Sequence, residues 1–310
     1  MSNGHILRTN IRFNLDVIRA TYDCLDRDLE KSLIFAAVSA ANVGHLDDDP
    51  LLIRQYAHVG LPDDLRRPIH MQRVAESLGL PRETTRIKVK ALIQAGLLES
   101  TRAGLLVPSA SMYGPRFEAM APRYLVALGE AVERLAASAC AGLAGNERLS
   151  ATPPVWGAMR FISQHVLRGT VDLRFYTAPM PLLGSYLFLA MADATGFRFG
   201  EDPERANADQ DQAPPGRSDL RISASALAER LAMPRETVRR NLKALVQQGW
   251  LLQDPDGFGL LARQAVEDRQ RVQLVQERAK ADLVRLIRRL RQIGAIVSDA
   301  GEKQDRTGLR

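Results

Sequence analysis

One stretch of this chain occurs twice, and no other feature limits the fold as strongly. The first copy is Leu80 to Leu98, LPRETTRIKVKALIQAGLL; the second is Met233 to Leu251, MPRETVRRNLKALVQQGWL. Ile69 aligns with Ile222, an offset of 153 (222 − 69), and no gap is needed across the span. The same offset pairs Ser32 with Ser185, Phe35 with Phe188, Ala75-Glu76 with Ala228-Glu229, and Gly96 with Gly249. About half of the positions around the two stretches are identical. An internal duplication explains this. Two copies are too few for a solenoid, so the expected form is a tandem of two domains. The Gly/Ser/Pro-rich stretch 144–154 is the expected boundary, giving domains 1–150 and 151–310.

Each copy reads as a helix. In the second, Val238, Leu242, Leu245 and Val246 fall at i, i+4, i+7 and i+8 and share one face. Arg235, Glu236, Thr237, Arg239, Arg240, Asn241 and Lys243 cover the rest. In the first, Thr85, Val89, Leu92 and Ile93 turn inward, while Arg82, Glu83, Thr84, Arg86, Lys88 and Lys90 turn outward. Gly96 and Gly249 are stop residues, where a positive φ is easily adopted.

The flanking sequence completes a recurring unit. A short helix precedes each basic helix (Met71 to Gly79 in the first copy), and Ser223 is its expected cap in the second copy, with His70 a weaker substitute. Two strands follow the first basic helix, Leu97 to Ser100 and Leu105 to Pro108, with Thr101 to Gly104 as the hairpin tip. The motifs span 68–108 and 220–262. Around them the pattern predicts a buried helix over Leu29 to His45, a helix from Arg116 to about Leu143, and a C-terminal helix over 266–294. In residues 1–30 strand and helix patterns compete. The polar stretch 200–219 reads as a linker and the tail from Ser298 as disordered. The expected fold class is mainly α with short β wings: two winged helix-turn-helix domains flanked by packing helices.

A helix of this width fits the DNA major groove, where Arg can fork onto guanine, Asn can pair with adenine, and Thr and Lys can take phosphates. Exposed basic helix faces are usually just solvated. The preceding short helix, the Gly-tipped hairpin and the repetition of the whole arrangement favour DNA. Two such motifs would address half-sites about one helical turn (~34 Å) apart. Net charge is +6 with a pI near 9.6, compatible with a polyanionic partner.

The segments resemble the winged helix-turn-helix of bacterial regulators, close to that of the cyclic-nucleotide-responsive regulators and also MarR-like. In the former family the recognition helix opens Arg-Glu-Thr-Val, and a later Arg joins the Arg and Glu at base edges. Arg235, Glu236 and Arg240 match all three positions. In the first copy Arg82 and Glu83 match, but Ile87 stands where the later Arg belongs. The resemblance covers about 45 residues per copy and implies a transcription regulator. The nucleotide-sensing barrel of that family has no counterpart here, and helices around a winged unit make the MarR-like layout the closer analogy.

Other chemistry is not advertised. The histidines His5, His45, His58, His70 and His165 are scattered, so no metal ligand set is expected. Phosphate-loop, zinc-protease and hydrolase motifs do not occur, so neither a catalytic residue nor a cofactor is expected. Cys24 and Cys140 form no CxxC, and the N-terminus has no apolar leader; a cytoplasmic location is the default. The most apolar runs, Leu33–Val43 and Leu182–Ala194, fall short of the ~20 residues that cross a bilayer. Trp250 is expected to anchor its wing. Trp156, Phe161, Phe175 and Tyr176 read as core or as the wall of an effector pocket, though no effector is indicated. The 266–294 helix is expected to pack or to pair two copies of the chain. The rival reading is a protein–protein adaptor, because winged helices also serve as docking modules.

Overall fold

The computed structural model describes residues 3–139, 142–143, 145–199, 221–260 and 266–298. The expected linker at 200–219 and the tail beyond Ser298 lie outside the described residues. Helices dominate: α1 (Asn3–Cys24), α2 (Leu29–Val43), α3 (Pro50–Gln55), α4 (Met71–Leu78), α5 (Arg82–Gln94), α6 (Ser109–Met112), α7 (Pro115–Ala137), α8 (Val155–Thr177), α9 (Leu182–Phe199), α10 (Ala224–Leu231), α11 (Arg235–Gln247) and α12 (Val266–Gln292). The strands are β1 (Glu99–Thr101), β2 (Gly104–Leu106), β3 (Glu147–Leu149), β4 (Leu251–Asp254), β5 (Gly257–Leu260) and β6 (Ile296–Ser298). They pair antiparallel as β1–β2, β3–β6 and β4–β5. The protein is thus mainly α-helical with small two-stranded sheets.

The chain divides into two units. The smaller is Met1–Leu15 with Asp172–Arg278; the larger is Asp16–Val171 with Ala279–Arg310. This division does not follow a cut at 150/151. Residues 144–154, expected as a boundary, carry β3, and Leu149 on that strand opposes Ile296 on β6. The pairing brings the end of α12 into the larger unit. Trp156 of α8 belongs there too: its ring stacks on Phe117 (centroids 4.6 Å apart, planes 13° apart) and lies 5.0 Å from Tyr113. Phe175 and Tyr176 fall in the other unit.

In the larger unit α2 is the central element. Asp28 caps it, accepting the Lys31 amide at 3.0 Å. Its Leu33, Ile34 and Val38 are buried, and it packs on α4, α5 and β2. Asn42, fully buried, donates through Nδ2 to the carbonyls of Arg67 (2.8 Å) and Leu105 (3.1 Å), and its Oδ1 accepts the Val107 amide (2.8 Å). One side chain therefore ties α2 to the hairpin strand and to the segment before α4.

In the smaller unit α9 holds the corresponding place and packs on α11 and β5. Trp250 is buried, as expected of a wing anchor, with edge contacts to Phe188 (5.3 Å) and Tyr176 (5.6 Å). Asp193 of α9, also buried, pairs with Arg230 of α10.

The long α12 carries two large apolar side chains that are exposed, Leu274 and Val284. They stand ten positions apart (284 − 274), about 280° around a helix, and so do not share a face, whereas Leu283, Leu286, Ile287 and Leu290 form a buried apolar stripe. No single helix among the described residues is long and apolar enough to cross a membrane; the pair Val155–Thr177 and Leu182–Thr195 has the composition together but is bent by 97°.

Candidate nucleic-acid interface

The second copy builds its site from local rules. Ser223 caps α10, accepting the Ala226 amide at 3.1 Å. The helix stops at Ala232, which takes a left-handed conformation at φ +48° while the Met233 amide closes on the Ala228 carbonyl at 2.9 Å. Pro234 then starts α11, where its missing amide costs nothing. Gly249 at φ +73° ends α11 and turns the chain into β4. The β4–β5 hairpin folds back so that Ile222 bridges Phe258. At Gly257 (φ +133°) a Cβ would lie 2.8 Å from the Ile222 carbonyl oxygen, so only glycine lets the hairpin approach that closely.

Val238, Leu242 and Leu245 of α11 are buried. The opposite face carries Glu236, Arg240, Lys243 and Gln247 at i, i+4, i+7 and i+11, all exposed. Arg235 is exposed at the first turn. Among the described residues Arg235, Arg240 and Lys243 form no ion pair, whereas Arg239 is clasped by Glu236 through two hydrogen bonds, 2.8 and 2.6 Å. The Arg239 hydrogen bonds hold the Glu236 carboxyl below its ordinary range. Thr237 is half-buried. Asn241, expected to meet adenine, instead donates its amide to the Thr237 carbonyl at 2.8 Å. It borders the buried face, where bonding back to its own helix is the nearest satisfaction.

The first copy has the same frame. The Leu80 amide closes on the Ala75 carbonyl at 2.9 Å, and Gly79 sits at φ +61°. His70 forms no side-chain cap bond. Ile69 bridges Leu105, and a Cβ at Gly104 would lie 2.6 Å from the Ile69 carbonyl oxygen. On α5 the exposed residues are Arg82, Glu83, Arg86, Ile87, Lys90, Ile93 and Gln94, with Thr84 half-buried; Ile93, expected to turn inward, lies at the exposed end of the helix. Arg86 is clasped by Glu83 at 2.9 and 2.6 Å, and those bonds lower the Glu83 pKa. Lys88 does not project outward as expected. It is half-buried against α2, 2.6 Å from Asp28 and 3.3 Å from Glu30, because its register, like that of Asn241, borders the buried face. Among the described residues Arg82 and Lys90 remain without an ion pair. Arg102, not anticipated from sequence, is exposed at the β1–β2 tip and has no ion pair there either.

The hairpin tips differ in charge. The first reads Thr101-Arg102-Ala103-Gly104, the second Asp254-Pro255-Asp256-Gly257. Asp254 is held by Arg221 at 2.6 Å, a hydrogen bond that lowers its pKa.

A family model places the second copy. Residues 215–255 match the IclR helix-turn-helix domain. That match spans the described α10, α11 and β4, and it makes this segment a DNA-binding module of transcription regulators, a domain type that is not catalytic. The match is to the IclR type, not to the cyclic-nucleotide-regulator or MarR-like types of the sequence resemblance. Neither a curated protein nor a solved structure matches the chain. Among the described residues no group of three or more His, Cys, Asp or Glu side chains could hold a metal ion.

Proposed function

We propose that this chain is a sequence-specific double-stranded DNA-binding transcription regulator that uses two winged helix-turn-helix motifs. The observation that carries the DNA reading is the outer face of α11: Arg235, Arg240 and Lys243 stand exposed, without an ion pair among the described residues, in a segment of IclR type. In this reading Arg235 and Arg240 fork onto base edges, Lys243 meets phosphate, and Arg239 is positioned by Glu236.

The proposal extends to the first copy on backbone grounds. Each element bound of α4, α5 and β2 up to Gly104 recurs in α10, α11 and β5 at the 153-residue offset. The left-handed helix stop and the bridge to the hairpin recur as well. There Arg82, Lys90 and Arg102 are the phosphate and base ligands.

A second reading applies to α5 alone. Ile87 is 53% exposed at the centre of the outer face, and an apolar side chain there suits a protein partner better than a phosphate rail. Selection of genomic DNA fragments by the purified chain at two salt concentrations tests both. A DNA regulator enriches a defined sequence, and its affinity falls steeply with salt, the logarithmic slope being about −0.9 per phosphate neutralised. A flat salt response without enrichment removes the DNA reading and leaves the adaptor.

A further inference from the structure

The larger unit contains a cavity of about 670 Å³, counting its open mouth. Its walls are mostly apolar and aromatic: Phe35 of α2, Tyr56, Met120 of α7, and Trp156 and Met159 of α8. Val59, 52% exposed, stands at its lining beside the loop that follows α3. A mostly apolar, aromatic lining with a few polar groups suits a small organic molecule.

One lining residue makes the site selective. Arg160 of α8 is 7% exposed, and its Nε and Nη2 are buried without a hydrogen-bond partner. The nearest counter-charge is Asp47, whose Oδ1 lies 3.6 Å from Arg160 Nε, beyond hydrogen-bonding reach. Asp47 is shared with Arg289, 3.0 Å from its other oxygen. Among the described residues, two guanidinium groups share this one carboxylate. Arg160 also stacks over Phe161, 4.8 Å from the ring centre, which fixes its plane but satisfies none of its N–H donors. The second lining arginine, Arg66, is already engaged: its Nε donates to the Leu61 carbonyl at 3.0 Å, and Asp63 lies 3.3 Å away. A buried guanidinium with open donors is costly unless something accepts from it. A carboxylate is the group whose two oxygens match that fork.

We propose that this cavity binds a small organic carboxylate with a short apolar or aromatic body, the carboxylate received by Arg160 and the body seated between Phe35, Met120 and Trp156. The site lies within the larger unit and is independent of the DNA reading, since its occupancy is measured without DNA.

The chain has two tryptophans, so Trp250→Phe leaves Trp156, in the cavity wall, as the sole reporter. Full-length protein carrying this change is titrated with benzoate, with butyrate, and with benzamide as the uncharged isostere of benzoate, following tryptophan emission. Calorimetry on the unmodified chain provides the same comparison without any substitution. The expected result is a saturable change with a carboxylate and binding of benzamide at least ten-fold weaker than benzoate. Adding Arg160→Met should weaken benzoate at least ten-fold and leave benzamide within about two-fold. No saturable signal with either acid, equal binding of benzoate and benzamide, or unchanged benzoate binding by a folded Arg160→Met protein would each overturn the proposal. If circular dichroism shows that Arg160→Met does not fold, the acid-against-amide comparison on the parent decides alone.

Discussion

The α4–α5 segment and the α10–α11 segment share one backbone plan and differ in what they hold outward. On α11 the centre of the outer face is Arg240; on α5 it is Ile87, exposed. The hairpin tips reverse this: Arg102 at the first, Asp254 and Asp256 at the second. Cationic character therefore sits on the helix in one copy and is shared with the hairpin in the other. The supports differ too. Asn42 brackets the first hairpin to α2 with three hydrogen bonds, whereas among the described residues the corresponding Thr195 of α9 bonds its own helix, at the Met191 carbonyl 2.8 Å away. The left-handed stop is Gly79 in one copy and Ala232 in the other. A duplicated frame can thus be kept by a few backbone positions while the outward chemistry diverges.

The largest expected effect separates the two helices. Arg235→Ala combined with Arg240→Ala should weaken binding to a selected DNA fragment by about 1–3 kcal/mol for each residue that touches a base, roughly ten- to a hundred-fold apiece. Arg82→Ala should cost less, because Ile87 leaves α5 without the second fork. Fluorescence anisotropy at fixed salt measures both, and equal losses would erase the distinction between the copies.

Asn42→Ala should destabilise the fold by about 2 kcal/mol, since it takes the side-chain partner from the buried Val107 amide and from the part-buried Arg67 carbonyl, while the Leu105 carbonyl keeps the Ile69 amide. Thr195→Ala, which removes one bond internal to a helix, should cost about 1 kcal/mol. Urea denaturation of the two variants sharpens the contrast, and a ratio near one would deny Asn42 its bracketing part.

Acid should strike the larger unit first. His165 is buried there, and burial, with the charge of Arg168 second, pushes its pKa from 6.5 down to about 3. The unfolded chain then binds a proton that the folded chain refuses. Stability falls as pH drops below 6.5 and goes on falling until pH approaches 3. Between pH 7 and pH 5 the loss is about 2 kcal/mol. The equivalent position in the smaller unit is Arg12, not a histidine. His165→Phe should flatten the dependence of thermal unfolding on pH; an unchanged slope would move the cause elsewhere.

The smallest effect concerns the helix stops. Ala232→Gly should stabilise by about 1 kcal/mol, because a left-handed residue with a Cβ is strained, and Gly79→Ala should destabilise by a similar amount. A melting temperature that drops with Ala232→Gly would count against this account.

Much of this was legible in the sequence, for local reasons. Apolar spacing located α5 and α11, and Gly96, Gly104, Gly249 and Gly257 marked where φ turns positive. What was not legible depends on distant partners. Lys88 reads as an outward cation until Asp28, sixty positions earlier, appears beside it. Helix α1 was obscured because Thr9, Asn10, Asn14 and Thr21 are polar yet buried, breaking the apolar stripe. The β3–β6 pair joins short strands about 150 positions apart, with no periodic signal in either. Asn241 could have been anticipated, since an Asn four residues after a helix carbonyl often turns back to it.

That last pairing has a consequence for synthesis. The larger unit recruits residues beyond 278, so its β3 edge stays open on the ribosome until Ile296 to Ser298 have emerged. The hinterland of the smaller unit, residues 172–278, is by then already made. A nascent chain halted near residue 278 would present an unpaired strand to whatever neighbour could zip onto it.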